Sequence, residues 1–378
     1  MTTLELIPGN WLYNAGVIGF LRVMDAVGED VGKWLKDDGT IEVRFTIPDV
    51  ETLVLRWFSG YYDQYSAESL KDKTRAEWEK KVSQCKKEGE SEEFCKTRVF
   101  WGTLFNVLVR GLFDANSQRV KENLPRFLRF AKWALSPREK TSDPVLCNFC
   151  TKPLLKDEKQ EGKIYLTSEH VRLLGASPTG KGMPNSFWNL RPDLTICSTC
   201  TWMLLTYPLA LHRTGNDQIF LNAPSFKLMW YLNRVGREIF SRAGAWTVRE
   251  LFGTTLMEMS LRYQLALGQW TAMNVEVVMI RRENQQTFVD FWSLPTERIL
   301  LLTDPGIASL LKTLGDVTYL RWVMDGREER LLEKAQRLLR DVMAKARSFE
   351  EKHHRAMGLL KLYTRVKEIQ ESQGGVYA

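Results

Sequence analysis

The apolar positions recur at helical spacing from the start of the chain. Residues 11–27 predict an amphipathic helix, preceded by Pro8-Gly9 and opened by Asn10 as its N-cap. Residues 41–47, IEVRFTI, then switch to strict alternation. Ile41, Val43, Phe45 and Ile47 face one way, and Pro48 ends the strand. A helical pattern returns over 49–65. The stretch 66–98 carries 17 charged residues in 33, nearly balanced in sign, and predicts a solvated helix and loop. Residues 98–113 predict a strongly apolar helix. Residues 123–135 predict another, with Arg126, Arg129 and Lys132 on one stripe and Phe127, Phe130, Ala131 and Ala134 on the other side.

Breakers at Ser136-Pro137 and Asp143-Pro144 mark a change of character. Residues 145–202 are loop-rich. Helical patterns cover 225–243 and 248–270, and two strands, 274–282 and 286–293, flank the polar turn 283–285. After Pro295 the chain reads as helix. Residues 327–372 keep a heptad-like spacing through Leu331, Ala335, Leu338, Val342, Ala346 and Phe349, with Glu333/Arg337 and Glu351/Arg355 four apart.

Charge changes this picture more than composition does. The chain's net charge of +7 is unevenly spread. Residues 1–109 hold 14 Lys/Arg against 18 Asp/Glu, residues 110–140 hold 8 against 3, and residues 225–378 hold 23 against 18. Cationic charge gathered in one short segment and in the C-terminal part favours a polyanionic partner such as nucleic acid. Arg119, Lys121 and Arg138 flank the basic stripe and join it as candidate phosphate contacts. Four histidines leave little material for a His-rich metallohydrolase, while 13 tryptophans point to large packed cores or stacking platforms. No run of about 18 uncharged apolar residues occurs, and the N-terminus lacks a basic region and a cleavage site. These features predict a cytoplasmic protein with no membrane partner.

Two C-x-x-C knuckles stand in mid-chain, Cys147/Cys150 and Cys197/Cys200, with 46 residues between them. Two thiolates three apart on a tight turn grip one metal ion. Two such turns complete a tetrahedron, and soft sulfur donors select Zn²⁺. A site of four cysteines has no open coordination position, so its role is structural. Disulfides are the competing use of these cysteines and are rare in a reducing cytosol. Cys85 and Cys95 lack ligand-like spacing and read as free thiols. The elements together predict an α+β, predominantly α-helical protein. It divides into an N-terminal mixed α/β domain (1–144), an inserted four-cysteine zinc-knuckle module (145–224), helices plus a strand pair continuing the core (225–296), and a C-terminal helical bundle (297–378).

Between the knuckles, Gly175 to Lys181 fits the start of a phosphate-binding loop. Gly182 stands where the Mg²⁺-binding hydroxyl belongs, which argues against nucleotide hydrolysis. Lys181, Asn185 and Arg191 are instead candidate nucleic-acid contacts on a loop. His170 with Asn185 and Asn189 raises the alternative of a zinc-stapled DNA nuclease of HNH type, although no ββα pattern surrounds His170. A zinc scaffold that binds no DNA is a further alternative.

The knuckles, the opening Gly9-Asn10-Trp11-Leu12-Tyr13-Asn14-Ala15-Gly16 and the strand pair ending in Leu294-Pro295 together resemble one family. It is the CXXC-CXXC family of CRISPR-associated proteins, the large subunit of type I-B Cascade. The resemblance implies a protein without catalysis of its own, acting within an RNA-guided surveillance complex. Such a subunit recognises the protospacer-adjacent motif in duplex DNA, supports R-loop formation and recruits an effector, either a helicase-nuclease or a transposition adaptor. Its implied partners are guide CRISPR RNA, target double-stranded DNA, and the backbone, small and RNA-end-binding subunits. Guide pairing then reads the sequence, and the protein needs a motif reader and cationic surface.

Overall fold

In the computed structural model the described residues are 3–46, 49–105, 120–136, 145–155, 194–214, 217–241, 246–264, 267–283, 286–344 and 349–374. They form fourteen α-helices and six β-strands, an α+β fold in which helix predominates. Among them no helix is long and apolar enough to cross a membrane. The chain divides into two compact units. Unit 1 holds residues 1–211, 216–229 and 278–290, and unit 2 holds 212–215, 230–277 and 291–378.

Unit 1 is built around α1 (Trp11–Ala26), whose residues from Trp11 to Met24 are all buried. Asn10 caps it as expected, its side chain accepting from the Tyr13 N–H at 3.0 Å. Asn14 is polar yet buried, and three bonds satisfy it: with the Gly9 N–H and carbonyl (2.8 and 2.9 Å), and with Asn222 (2.9 Å). Strand β1 (Thr3–Leu6) pairs antiparallel with β2 (Ile41–Arg44), Thr3 opposite Arg44 and Leu6 opposite Ile41. Ile41 and Val43 are buried while Arg44 is exposed, as the alternation predicts, but the strand ends at Arg44 and not at 47, and Ile47 lies outside the described residues.

Helix α2 (Val50–Ser69) begins at Asp49, which accepts from the Thr52 N–H at 2.8 Å. It presents Trp57, Phe58 and Tyr61 to an aromatic cluster. Trp57 stacks on Phe127 at 5.8 Å and meets Trp202 edge-on at 5.9 Å, and Phe58 lies 5.4 Å from Trp101. Three of the tryptophans are thus accounted for by core packing.

The charged stretch 66–98 departs from expectation. It forms two helices, α3 (Asp72–Lys87) and α4 (Glu92–Phe100). Trp78, Val82 and Cys85 recur at helical spacing and bury one face, with Tyr62 packing on Trp78 at 5.6 Å. The density of charge around three well-spaced apolar residues hid this stripe. The expectation of free thiols at Cys85 and Cys95 also fails, because the two are joined as a disulfide between α3 and α4. Sequence spacing did not reveal that the turn at Gly89, whose φ is +90°, folds the two helices face to face.

The apolar helix expected over 98–113 is seen only in part. Residues 101–105 continue α4 as a π-helical turn, and 106–113 lie outside the described residues. Helix α5 (Val120–Leu135) starts three residues before the expected 123 and runs through Pro125, forgoing one backbone hydrogen bond there. Helix α6 (Ser198–Leu204) follows the second knuckle and packs on both α1 and α5. Strand β3 (His212–Thr214) belongs to unit 2. Strand β4 (Asp217–Asn222) and the unit 1 portions of β5 (Glu276–Glu283) and β6 (Gln286–Trp292) lie side by side in that order.

Helix α7 (Phe226–Ser241) passes from unit 1 into unit 2. In unit 2, α8 (Val248–Tyr263) starts with a capping box, Thr247 and Glu250, and Glu250 also pairs with Arg321. The short α9 (Gln269–Met273) precedes β5. Helix α8 packs on α10 (Thr296–Thr303), α11 (Pro305–Leu314) and α12 (Val317–Met324). The last two helices, α13 (Glu329–Ala344) and α14 (Phe349–Gly374), pack on each other. Leu331, Ala335, Leu338 and Val342 face inward as the heptad spacing predicts, against Ala356, Leu359, Leu362 and Val366. Arg355 reaches Asp316 at 3.1 Å.

Candidate metal centre

The two knuckles meet in unit 1. The Sγ atoms of Cys147, Cys150, Cys197 and Cys200 all lie within 4.8 Å of one another, and none is in a disulfide. The Cys150–Cys197 separation is 3.7 Å. Four sulfurs bonded at about 2.3 Å around a tetrahedral ion stand about 3.8 Å apart, which the Cys150–Cys197 pair matches, and all four sulfurs lie close enough together for one ion to reach.

Local hydrogen bonding shapes each knuckle. In the first, the Cys147 N–H donates to the Lys152 carbonyl and the Thr151 N–H to the Cys147 carbonyl, both at 2.9 Å. The turn forces Thr151 to φ +57°, a left-handed conformation uncommon outside glycine. In the second, Cys197 takes the N-cap place of α6, and its Sγ accepts from the Cys200 N–H at 3.4 Å. A sulfur here does what a serine or aspartate oxygen does at other helix starts. The Phe149 and Cys197 N–H groups both donate to Cys147 Sγ at 3.4 Å. Thr195 stitches the two knuckles, accepting from the Asn148 N–H at 2.9 Å and donating its own N–H to the Asn148 side chain at 2.7 Å.

Helix α1 is the seat for this cluster. A Cβ on Gly19 would lie 1.9 Å from the Thr206 carbonyl oxygen, and one on Gly9 would lie 2.9 Å from the Phe149 carbonyl oxygen. Only glycine lets the first knuckle approach the turn before α1, and the segment just after α6 approach α1 itself, so closely. Thr206 Oγ1 donates to the Gly16 carbonyl at 2.8 Å, and Phe20 meets Trp202 edge-on at 6.3 Å. The opening motif of the sequence is therefore the surface on which the knuckles rest, a role its residue types alone do not display.

Burial sets the chemistry. Cys147, Cys197 and Cys200 are buried and Cys150 is half-buried. Without a cation, burial pushes the Cys200 thiol well up, whereas the hydrogen bond with Cys147 lowers Cys150. Four thiolates this close cannot all ionise without a cation among them, and a divalent ion removes that conflict. Burial also raises the Tyr13 hydroxyl well above the ordinary range, and the cysteines add to this, Cys200 most. Tyr13 therefore stays a hydrogen-bond donor at neutral pH.

The candidate nucleic-acid residues divide. Arg126, Arg129 and Lys132 are exposed together on α5, whose other face buries Phe127, Phe130, Ala131 and Ala134. Thr199 on α6 donates to the Ala134 carbonyl at 2.6 Å, tying this helix to the second knuckle. Lys121 is exposed, pairs with Glu90 at 2.9 Å and lies 5.5 Å from the Phe94 ring centroid. Arg119, Arg138, Lys181, Asn185 and Arg191 lie outside the described residues, as do His170, Asn189 and the loop 175–182.

Neither the curated proteins nor the solved structures gave a match. Residues 140–212 match the model of one family, CRISPR-associated protein (Cas_CXXC_CXXC), a stretch that contains all four clustered cysteines. The match supports a CRISPR-associated protein of this family.

Proposed function

We propose that the chain is the large subunit of a type I-B RNA-guided surveillance complex and that its four-cysteine cluster holds a structural Zn²⁺. The family match over the cluster carries this reading. The all-sulfur donor set supports zinc, and a tetrahedron completed by protein leaves no position for a substrate or an activated water. In this reading the chain has no catalysis of its own.

The zinc fixes α6, α6 holds α5, and α5 presents Arg126, Arg129 and Lys132 to solvent. Cations on a rigid helix suit phosphate contacts, which position a duplex without reading its sequence. Recognition of the protospacer-adjacent motif falls to other residues, and guide RNA pairing supplies the remaining specificity. The complex assembles in the cytoplasm with the backbone, small and RNA-end-binding subunits and recruits a helicase-nuclease or a transposition adaptor.

A gel shift tests the proposal. The chain is titrated onto motif-bearing and motif-free duplexes, with and without guide RNA and partner subunits. Motif-dependent binding that requires the assembled complex supports it. Metal-dependent cleavage by the isolated chain would favour the nuclease instead, and partner binding without any DNA affinity would favour a scaffold.

A further inference from the structure

One group at the cluster has no task in that reading. Tyr13 is fully buried in α1, and among the described residues its hydroxyl has no hydrogen-bond partner. A buried hydroxyl left unpaired costs about 1–3 kcal/mol. A phenylalanine would fill the same space without that cost.

The cluster has the opposite need. A divalent cation with four thiolates leaves two surplus negative charges in a buried place, and such charge requires donors. The backbone N–H donors already go to Cys147 and Cys197. Among the described residues no N–H or O–H reaches Cys150 or Cys200. The Tyr13 ring stands beside the first knuckle. The point where a Gly9 Cβ would sit is 2.9 Å from the Phe149 carbonyl oxygen and 3.2 Å from Tyr13 Cδ1, so the ring and the first knuckle flank the same spot. Helix α6, carrying the second knuckle, packs on the same α1.

We infer that the Tyr13 hydroxyl donates a hydrogen bond to a sulfur of the metal-loaded cluster, positioning that thiolate and stabilising its charge. Cys150 and Cys200 are the candidate acceptors, since among the described residues neither has an N–H or O–H donor. No backbone group supplies this contact, so the side chain at position 13 controls it. The inference rests on the cluster binding a divalent cation, and its test separates the two ideas.

The full chain is prepared reduced and loaded with Co²⁺, as wild type and as Tyr13→Phe. Sulfur-to-cobalt charge-transfer absorption reports the thiolates directly, and transfer of cobalt to a chelator reports how tightly they hold. The expected result is a shifted charge-transfer band and release about tenfold faster in Tyr13→Phe. Identical bands and release rates overturn the role of Tyr13 while leaving the metal site standing. A change in thermal stability with an unchanged band overturns it too, since ring packing alone would act that way. Wild type that takes up no cobalt overturns the metal reading and this inference with it. If Tyr13→Phe does not fold, wild type loaded with ¹¹³Cd decides. Scalar coupling between the metal and the Tyr13 hydroxyl proton supports the bond, and a resolved hydroxyl proton without coupling overturns it.

Discussion

Unit 1 contains two cysteine sites that hold the chain in different ways. The four-thiol cluster joins segments separated by 46 residues and sits on a helix from the start of the chain. The Cys85–Cys95 disulfide ties α3 to α4 across a short turn. Those two helices are already linked by Lys86–Glu92 (2.7 Å) and Arg98–Glu88 (2.8 Å). The cluster places distant parts of the fold, whereas the disulfide reinforces neighbours. Removing either should expose this difference.

The largest effect is expected at the cluster. Cys197→Ser removes a metal ligand while leaving a hydroxyl that still caps α6, so the loss it causes belongs to the metal site. It should abolish stoichiometric zinc and lower stability by about 3–5 kcal/mol, read by elemental analysis and denaturant unfolding. A freshly purified, reduced wild type without zinc would sink the metal reading outright. Gly19→Ala tests the seat without touching a ligand. A methyl group 1.9 Å from the Thr206 oxygen forces the backbone apart. The expected loss is about 2–3 kcal/mol with weaker zinc retention, and full stability would show that the close approach is not needed.

The disulfide should matter less. It closes a loop of ten residues, and the double change Cys85→Ser with Cys95→Ser should cost about 2–3 kcal/mol while zinc stays at one per chain. Zinc lost along with the disulfide would mean that the two sites are coupled. The smallest effect on stability is expected from replacing Arg126, Arg129 and Lys132 by Ala, within about 0.5 kcal/mol. The same variant should weaken binding to matched and unmatched duplexes alike and reduce the salt slope by up to about 2.7. An unchanged affinity and slope would leave α5 as an ordinary solvated face.

The sequence disclosed the cluster because its chemistry is local. Two short turns of fixed spacing identify all four ligands, and the structure brings those same residues together. Capping and periodicity disclosed α1, the β5–β6 strand pair and the inward face of α13 for the same reason. What escaped depends on how separate elements pack against each other. Trp78, Val82 and Cys85 look like scattered apolar residues among charges until Tyr62 and α4 pack against them. The pairing of Cys85 with Cys95 needs the turn at Gly89. Gly9, Tyr13 and Gly19 take their meaning only from Phe149 and Thr206, well over a hundred residues away.

That separation has a consequence for how the protein is made. Helix α1 is made well before some of the elements that cover it, with apolar side chains on every face. The partners that cover it include α6 and β4, which end at Leu204 and Asn222. At about 5–20 residues per second, nearly two hundred further residues take about 10–40 s to appear. Throughout that interval α2 covers one side of the first helix, and the side that α6 and β4 will cover stays open. Contacts of such long sequence separation also form slowly, because the intervening chain must close a large loop first. The open side of α1 is therefore closed only once the second knuckle has been synthesised.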